Sequence, residues 1–117
     1  MKVILIPALI LAALLTAACA AKSSPPQDWA AIAEKADTAD GHEALAKHFD
    51  EIAASEAANA EEQRRALADY QARPHRYGRR IKDLRARSGA MLRDFEAGAA
   101  DAKAMADLHR QIAAEMR

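Results

Sequence analysis

The sequence predicts an all-α protein: a long antiparallel helical hairpin, coiled-coil-like, preceded by a short N-terminal helix. Three observations predict it. Alanine supplies 32 of the 117 residues and aromatics only 4%, and a chain dominated by Ala, Glu, Lys, Leu and Arg favours long helices over sheet. From Ile81 to Met116, apolar or small residues recur at spacings of three and four without a slip, the period of a helix seam. A single break, Arg73-Pro74-His75-Arg76-Tyr77-Gly78, divides that pattern from an equally long helical stretch before it. Proline there removes a backbone donor and pushes its predecessor out of helical geometry.

The chain starts with Lys2, an apolar run from Val3 to Leu15, and Leu14-Leu15-Thr16-Ala17-Ala18-Cys19. A charged start, a short apolar run and small residues at a cleavage point describe a secretory signal. With the only cysteine at its end, this stretch resembles the lipobox of bacterial lipoproteins. Thr16 departs from that pattern, which prefers Leu, Ile or Val three residues before the cysteine. The resemblance covers about the first twenty residues. It implies a signal peptide over 1–18, lipid attachment at Cys19 and cleavage just before it. Pro7 and the small residues from Thr16 to Ala21 speak against an uncleaved span of the length a bilayer needs. Several acyl chains hold a protein on a membrane where one does so only marginally.

Residues 19–27 then read as the lipidated cysteine and a tether, since Lys22-Ser23-Ser24-Pro25-Pro26 cannot begin a helix before Pro26. The eight residues from Ala20 reach at most roughly 27 Å, which keeps the body at 28–117 close to the membrane. Lipoproteins retained in the inner membrane commonly carry aspartate directly after the cysteine. Ala20 is not that signal, so the resemblance implies the periplasmic face of the outer membrane if the source is Gram-negative.

The body follows in three helices. Residues 28–36 form a short one, capped by Asp28, with Trp29, Ile32, Ala33 and Ala36 on one face. Asp40 followed by Glu43 reads as a capping box for a second helix over about 41–71. Its inner face holds Leu45, Phe49, Ile52, Ala60, Leu67 and Tyr70, with Glu56 and Gln63 on the same stripe. The third carries Ile81, Leu84, Ser88, Met91, Phe95, Gly98, Ala102, Met105, His109, Ile112 and Met116 as its seam. Centring the turn near Pro74 places Tyr70 opposite Arg79, Glu62 opposite Arg87 and Glu56 opposite Arg93, and leaves Trp29 and Ile32 to cover Met105, Ile112 and Met116. Only 17 residues from Asp28 onward are large apolar or aromatic ones, a thin core for a small domain. A homodimer, completing a four-helix bundle, is therefore expected.

Sequence motifs for catalysis are absent: no Gly-rich phosphate loop, no G-x-S-x-G, no H-E-x-x-H. The chain reads as not an enzyme. His42-x-x-Leu45-Ala46-x-x-Phe49 echoes His109-x-x-Ile112-Ala113-x-x-Met116. In this the body resembles uncharacterised alanine-rich helical envelope proteins. The hairpin brings His42 and His109 together at its open end, with Asp40, Glu43 and Asp107 nearby in sequence. Imidazole plus carboxylate suits Zn²⁺ or Cu²⁺, so His42 and His109 are the candidate metal ligands, provided both reach one point.

Charge carries the main functional reading. The net charge is zero, but residues 28–62 hold ten acids and two bases, and residues 63–93 hold ten bases and two acids. The hairpin is thus acidic at its base and basic at its tip. Arg76, Arg79, Arg80, Lys82, Arg85 and Arg87 are the candidate anion-binding residues. The leading expectation is a lipid-anchored envelope protein with a structural or adaptor role, whose tip binds an anionic envelope polymer or an acidic protein. Nucleic acid is not expected as a partner. The alternatives are a small periplasmic metal or ligand sensor using His42 and His109, and a holdase-like periplasmic chaperone using Met91, Met105 and Met116.

Overall fold

The computed structural model describes residues 29–117. The signal peptide, Cys19, the tether and the Asp28 cap lie outside the described residues. Helix α1 spans Trp29–Ala33, α2 Ala39–Ala72 and α3 Ile81–Glu115. The loop between the last two holds two 3-10 turns, Pro74–Arg76 and Gly78–Arg80. Helices α2 and α3, of 34 and 35 residues, each run for about 50 Å and pack along their length as an antiparallel hairpin. No described helix is long and apolar enough to cross a membrane.

Helix α1 stops three residues earlier than its periodicity predicts. After Ala33 the backbone tightens into i to i−3 bonds, from Lys35 N–H to Ile32 O at 3.2 Å and from Ala36 N–H to Ala33 O at 3.0 Å. The reason lies at Gly41, a buried residue in the first turn of α2 whose bare Cα lets the Lys35 carbonyl approach. Thr38 joins the two elements. Its hydroxyl donates to the Lys35 carbonyl and accepts from the Gly41 N–H, each at 3.0 Å. Thr38 is thus the N-cap of α2, and the capping box on Asp40 and Glu43 is not used. Asp40 instead adds negative charge to the first helical turn, where the helix dipole favours it.

The turn is centred near Tyr77 and Gly78 rather than Pro74. Arg73 ends α2, its N–H bonded to the Asp69 carbonyl at 2.9 Å, and the 3-10 turns use up Pro74–Arg80 before α3 begins. Gly78 has φ of 58°, a left-handed conformation that glycine adopts without steric cost. The tyrosine rings of Tyr70 and Tyr77 meet edge to face, 4.8 Å apart at 87°, and the Tyr77 hydroxyl donates to Asp69. Moving the turn moves the register: Glu56 lies against Gly98 instead of Arg93, its side chain 3.5 Å from where a glycine Cβ would stand.

The inner face of α2 is the one the sequence predicts, with Leu45 and Ala60 buried and Phe49, Ile52, Leu67 and Tyr70 half-buried. Helix α3 differs. Ser88, Phe95, Ala102 and His109 point inward as predicted, but the positions between them shift by one. Ala106 and Ala113 are fully buried where Met105 and Ile112 were expected, and Leu92 replaces Met91. Met91, Met105, Leu108, Ile112 and Met116 are exposed, between 38% and 52%. They form an exposed row that Ile32 does not cover, contrary to its expected role; the side chain of Trp29 lies outside the described ones. Alanine wins the seam because it adds almost no side-chain bulk, so two long helices make close backbone approach over many turns. Methionine there would hold them apart.

Candidate functional site

The hairpin places candidate functional residues at both ends. At the tip, Arg76, Arg79, Arg80, Lys82 and Arg87 are exposed. Among the described residues, Arg80 has one ion pair, with Asp83 at 3.5 Å, and Arg76, Arg79, Lys82 and Arg87 have none. These five cations make a single ion pair, and the charge of Arg76 also acts on Asp69. Arg79, Arg80 and Lys82 crowd the start of α3, which has no side-chain N-cap and whose unsatisfied N–H groups repel cations.

Arg85, grouped with them on sequence, does something else. It is half-buried, and its Nε and Nη2 donate to the Tyr70 carbonyl at 3.3 and 3.1 Å. It satisfies an orphan carbonyl near the end of α2 and ties α3 to it. Glu61, Glu62 and Asp69 make no ion pair with Arg85, Arg87 or Arg79. Glu61 pairs within its own helix with Arg64, at 2.5 Å, and with Arg65, at 3.4 Å. Arg64 crosses to Glu96 at 2.7 Å. Asp69 is taken by Arg73 and Tyr77, and the Tyr77 hydrogen bond, followed by the Arg73 charge, holds its carboxyl below the usual carboxylate range.

At the open end, His42 and His109 meet as the hairpin predicts, Nδ1 to Nδ1 at 2.9 Å. Their ring centroids are 5.2 Å apart with 27° between planes. That separation equals the nitrogen–nitrogen distance plus about one ring radius at each end, so the imidazoles face each other head-on, nitrogen to nitrogen. This is the arrangement of an N–H···N hydrogen bond. A metal held at 2.0–2.1 Å by both nitrogens would sit off that line, and each ring would turn by roughly 45° to aim at it.

Sequence reasoning missed the rest of this cluster. Phe49 lies parallel to His109, 5.5 Å away at 10°, and His48 meets Phe49 edge-on at 5.6 Å. The four rings run His42, His109, Phe49, His48. The signal was present in the pairing of Phe49 with the half of the echo that carries His42. Burial, and after it the charge of His42, lowers the pKa of His109 below the ordinary imidazole value. The three carboxylates expected to join the histidines do not. Glu43 reaches Arg117 at 3.4 Å, Asp107 is held by Lys103 and Arg110 at 3.0 and 3.2 Å, and Asp40 stays exposed. Among the described residues, no group of three His, Cys, Asp or Glu side chains could hold a metal ion.

Comparison of the chain with family models, with curated proteins and with solved structures finds no match.

Proposed function

We propose that this protein is a lipid-anchored adaptor of the bacterial cell envelope whose basic hairpin tip binds an anionic partner. The observation that carries the reading is the cluster of exposed, almost unpaired cations at Arg76, Arg79, Arg80, Lys82 and Arg87. Arg79, Arg80 and Lys82 stand where the dipole of α3 makes positive charge unfavourable, by about 0.3–1 kcal/mol for each exposed group. A fold that needed only solubility would place them elsewhere, as it places Arg64 between Glu61 and Glu96. The lipobox-like stretch ending at Cys19 supports the anchor, and the absence of an aspartate at Ala20 supports the outer membrane in a Gram-negative source.

The partner is an anionic polymer such as lipopolysaccharide or cell-wall polymer, or an acidic protein surface. Replacing Arg79, Arg80 and Lys82 with glutamine tests the reading, with co-sedimentation on vesicles containing lipopolysaccharide and thermal melting as readouts. Salt-sensitive association is lost while the melting temperature holds or rises. Association that survives the triple substitution overturns it.

The exposed row on α3 favours one further element, a second copy of the chain. Met91, Met105, Leu108, Ile112 and Met116 are the side chains a four-helix bundle would cover, and sedimentation equilibrium distinguishes dimer from monomer. A monomer that binds an apolar dye and suppresses aggregation of unfolded clients instead supports the chaperone reading.

A further inference from the structure

The head-on pairing of His42 and His109 is a bond with a definite proton inventory. With no net charge, one imidazole carries its proton on Nδ1 and donates, while the other carries its proton on Nε2 and accepts at Nδ1. A first added proton goes to the free nitrogen of the donor ring, giving an imidazolium that still donates to a neutral partner. The bond survives and becomes charge-assisted. A second added proton lands on the accepting Nδ1 itself. Both rings then present N–H across a 2.9 Å gap, the bond is gone, and two cations face each other.

We propose that this pair is an acid-released clasp on the open end of the hairpin: it holds α2 to α3 with zero or one added proton and lets go when the second arrives. The surroundings favour the release. Glu43, Asp50 and Asp107, the acids nearest in sequence and fold, are engaged by Arg117, Arg110 and Lys103. In the turn after α1, Glu34 and Lys35 are exposed, as is Asp40 at the start of α2. His48 is separated from the pair by the Phe49 ring. Among the described residues, the charge that acts on His109 is that of His42 rather than of a carboxylate. Around the clasp, α3 contributes the small side chains of Ala106 and Ala113 to the contact, against Leu45 on α2, and the other ties are the Phe49 ring on His109 and the half-exposed pairs of Arg110 with Asp50 and Arg117 with Glu43.

The sign follows from linkage. The native pair takes its second proton less readily than two unfolded histidines, so the unfolded state binds more protons as pH drops. Nothing is lost above the ordinary imidazole range near 6.5. Below it the end loosens progressively, until both rings are charged in the native state as well.

Amide hydrogen exchange on the full chain, corrected for intrinsic pH dependence, tests the clasp between about pH 7.5 and about pH 5. Protection over 109–115 falls roughly tenfold or more relative to 88–95, since one pH unit of displaced proton uptake is a factor of ten. His109→Gln and His42→Gln, which cannot ionise, abolish that difference between the two pH values. Equal protection at both pH values in the unaltered chain overturns the proposal, as does an equal loss in the glutamine variants. Should either variant fail to fold, the ring protons of the unaltered chain decide by NMR. Two separated titration steps are expected, and independent titration of both rings at the ordinary value overturns the clasp.

Discussion

The Cα of Gly41 sits under the backbone carbonyl of Lys35, so closely that a Cβ on residue 41 would stand 1.5 Å from that oxygen. The atom in the way is backbone, so no side-chain rotation relieves it. Gly41→Ala must push α1 and its connecting turn off α2. The expected cost is about 1–3 kcal/mol, the range for overpacking a close contact, even though alanine is the better helix former at a helical position. Urea unfolding measures it, and a gain in stability would show that α1 is not docked there.

The seam of α3 can be separated from its flank by two substitutions one residue apart. Ala106 is fully buried and Met105 is 39% exposed. Ala106→Leu forces side-chain volume between two helices and costs about 1–3 kcal/mol. Met105→Ala removes a partly exposed side chain outside the seam and changes stability by less than about 1 kcal/mol in the monomer. If Met105→Ala is the damaging one, either the seam follows the methionines or a second copy buries them. Repeating the unfolding at several protein concentrations separates these two cases.

The loop is held by a group that titrates at each end of the pH scale. The Tyr77 hydrogen bond lowers the Asp69 pKa, and Asp69 in turn raises that of Tyr77. The stabilisation from Asp69 is present above the ordinary carboxylate value and is lost as pH falls through its lowered native pKa. That from Tyr77 is present below the ordinary phenol value and is lost as pH rises through its raised native pKa. Tyr77→Phe should therefore flatten the alkaline limb of the stability–pH profile. Both groups are half-buried at the surface of the loop, where solvent screening keeps the change modest. An unaltered alkaline limb would mean that Tyr77 does not hold Asp69.

Cys19→Ser should leave a full-length precursor without lipid in the producing cell. Immunoblotting of membrane fractions against the unaltered chain reads both size and labelling with fatty acid. Normal cleavage and release of the serine variant would replace lipid anchoring with ordinary secretion.

The all-α hairpin was legible because it rests on strong and redundant signals: alanine content, an unbroken period and one proline. The inner face of α2 was legible for the same reason, since Leu45, Phe49, Ile52 and Leu67 leave no competing stripe of large side chains. On α3 two stripes compete. Periodicity weighs a side chain by its apolar character and so selects Met105 and Ile112, whereas close packing selects for the absence of bulk and so selects Ala106 and Ala113. The meeting of His42 and His109 could be read from the echo and the hairpin, but not the head-on approach, which depends on a register set by two 3-10 turns. Arg85 was read as a free cation because nothing local shows that its guanidinium reaches Tyr70, fifteen residues away.

The turn near Gly78 also fixes how this hairpin responds to tension. The described chain enters and leaves at the same end, so a pull between its ends loads the contacts in sequence rather than all at once. Opening begins at His42 and His109, which lie 67 residues apart in sequence, and finishes near Tyr70 and Arg85, 15 apart. Run in reverse, closing the longer of those loops first would cost roughly 1.3 kcal/mol more in chain entropy than closing the shorter. The energetically easy route is a zipper that starts at the turn and reaches the histidines last, and under load the same zipper peels at low force from the histidine end.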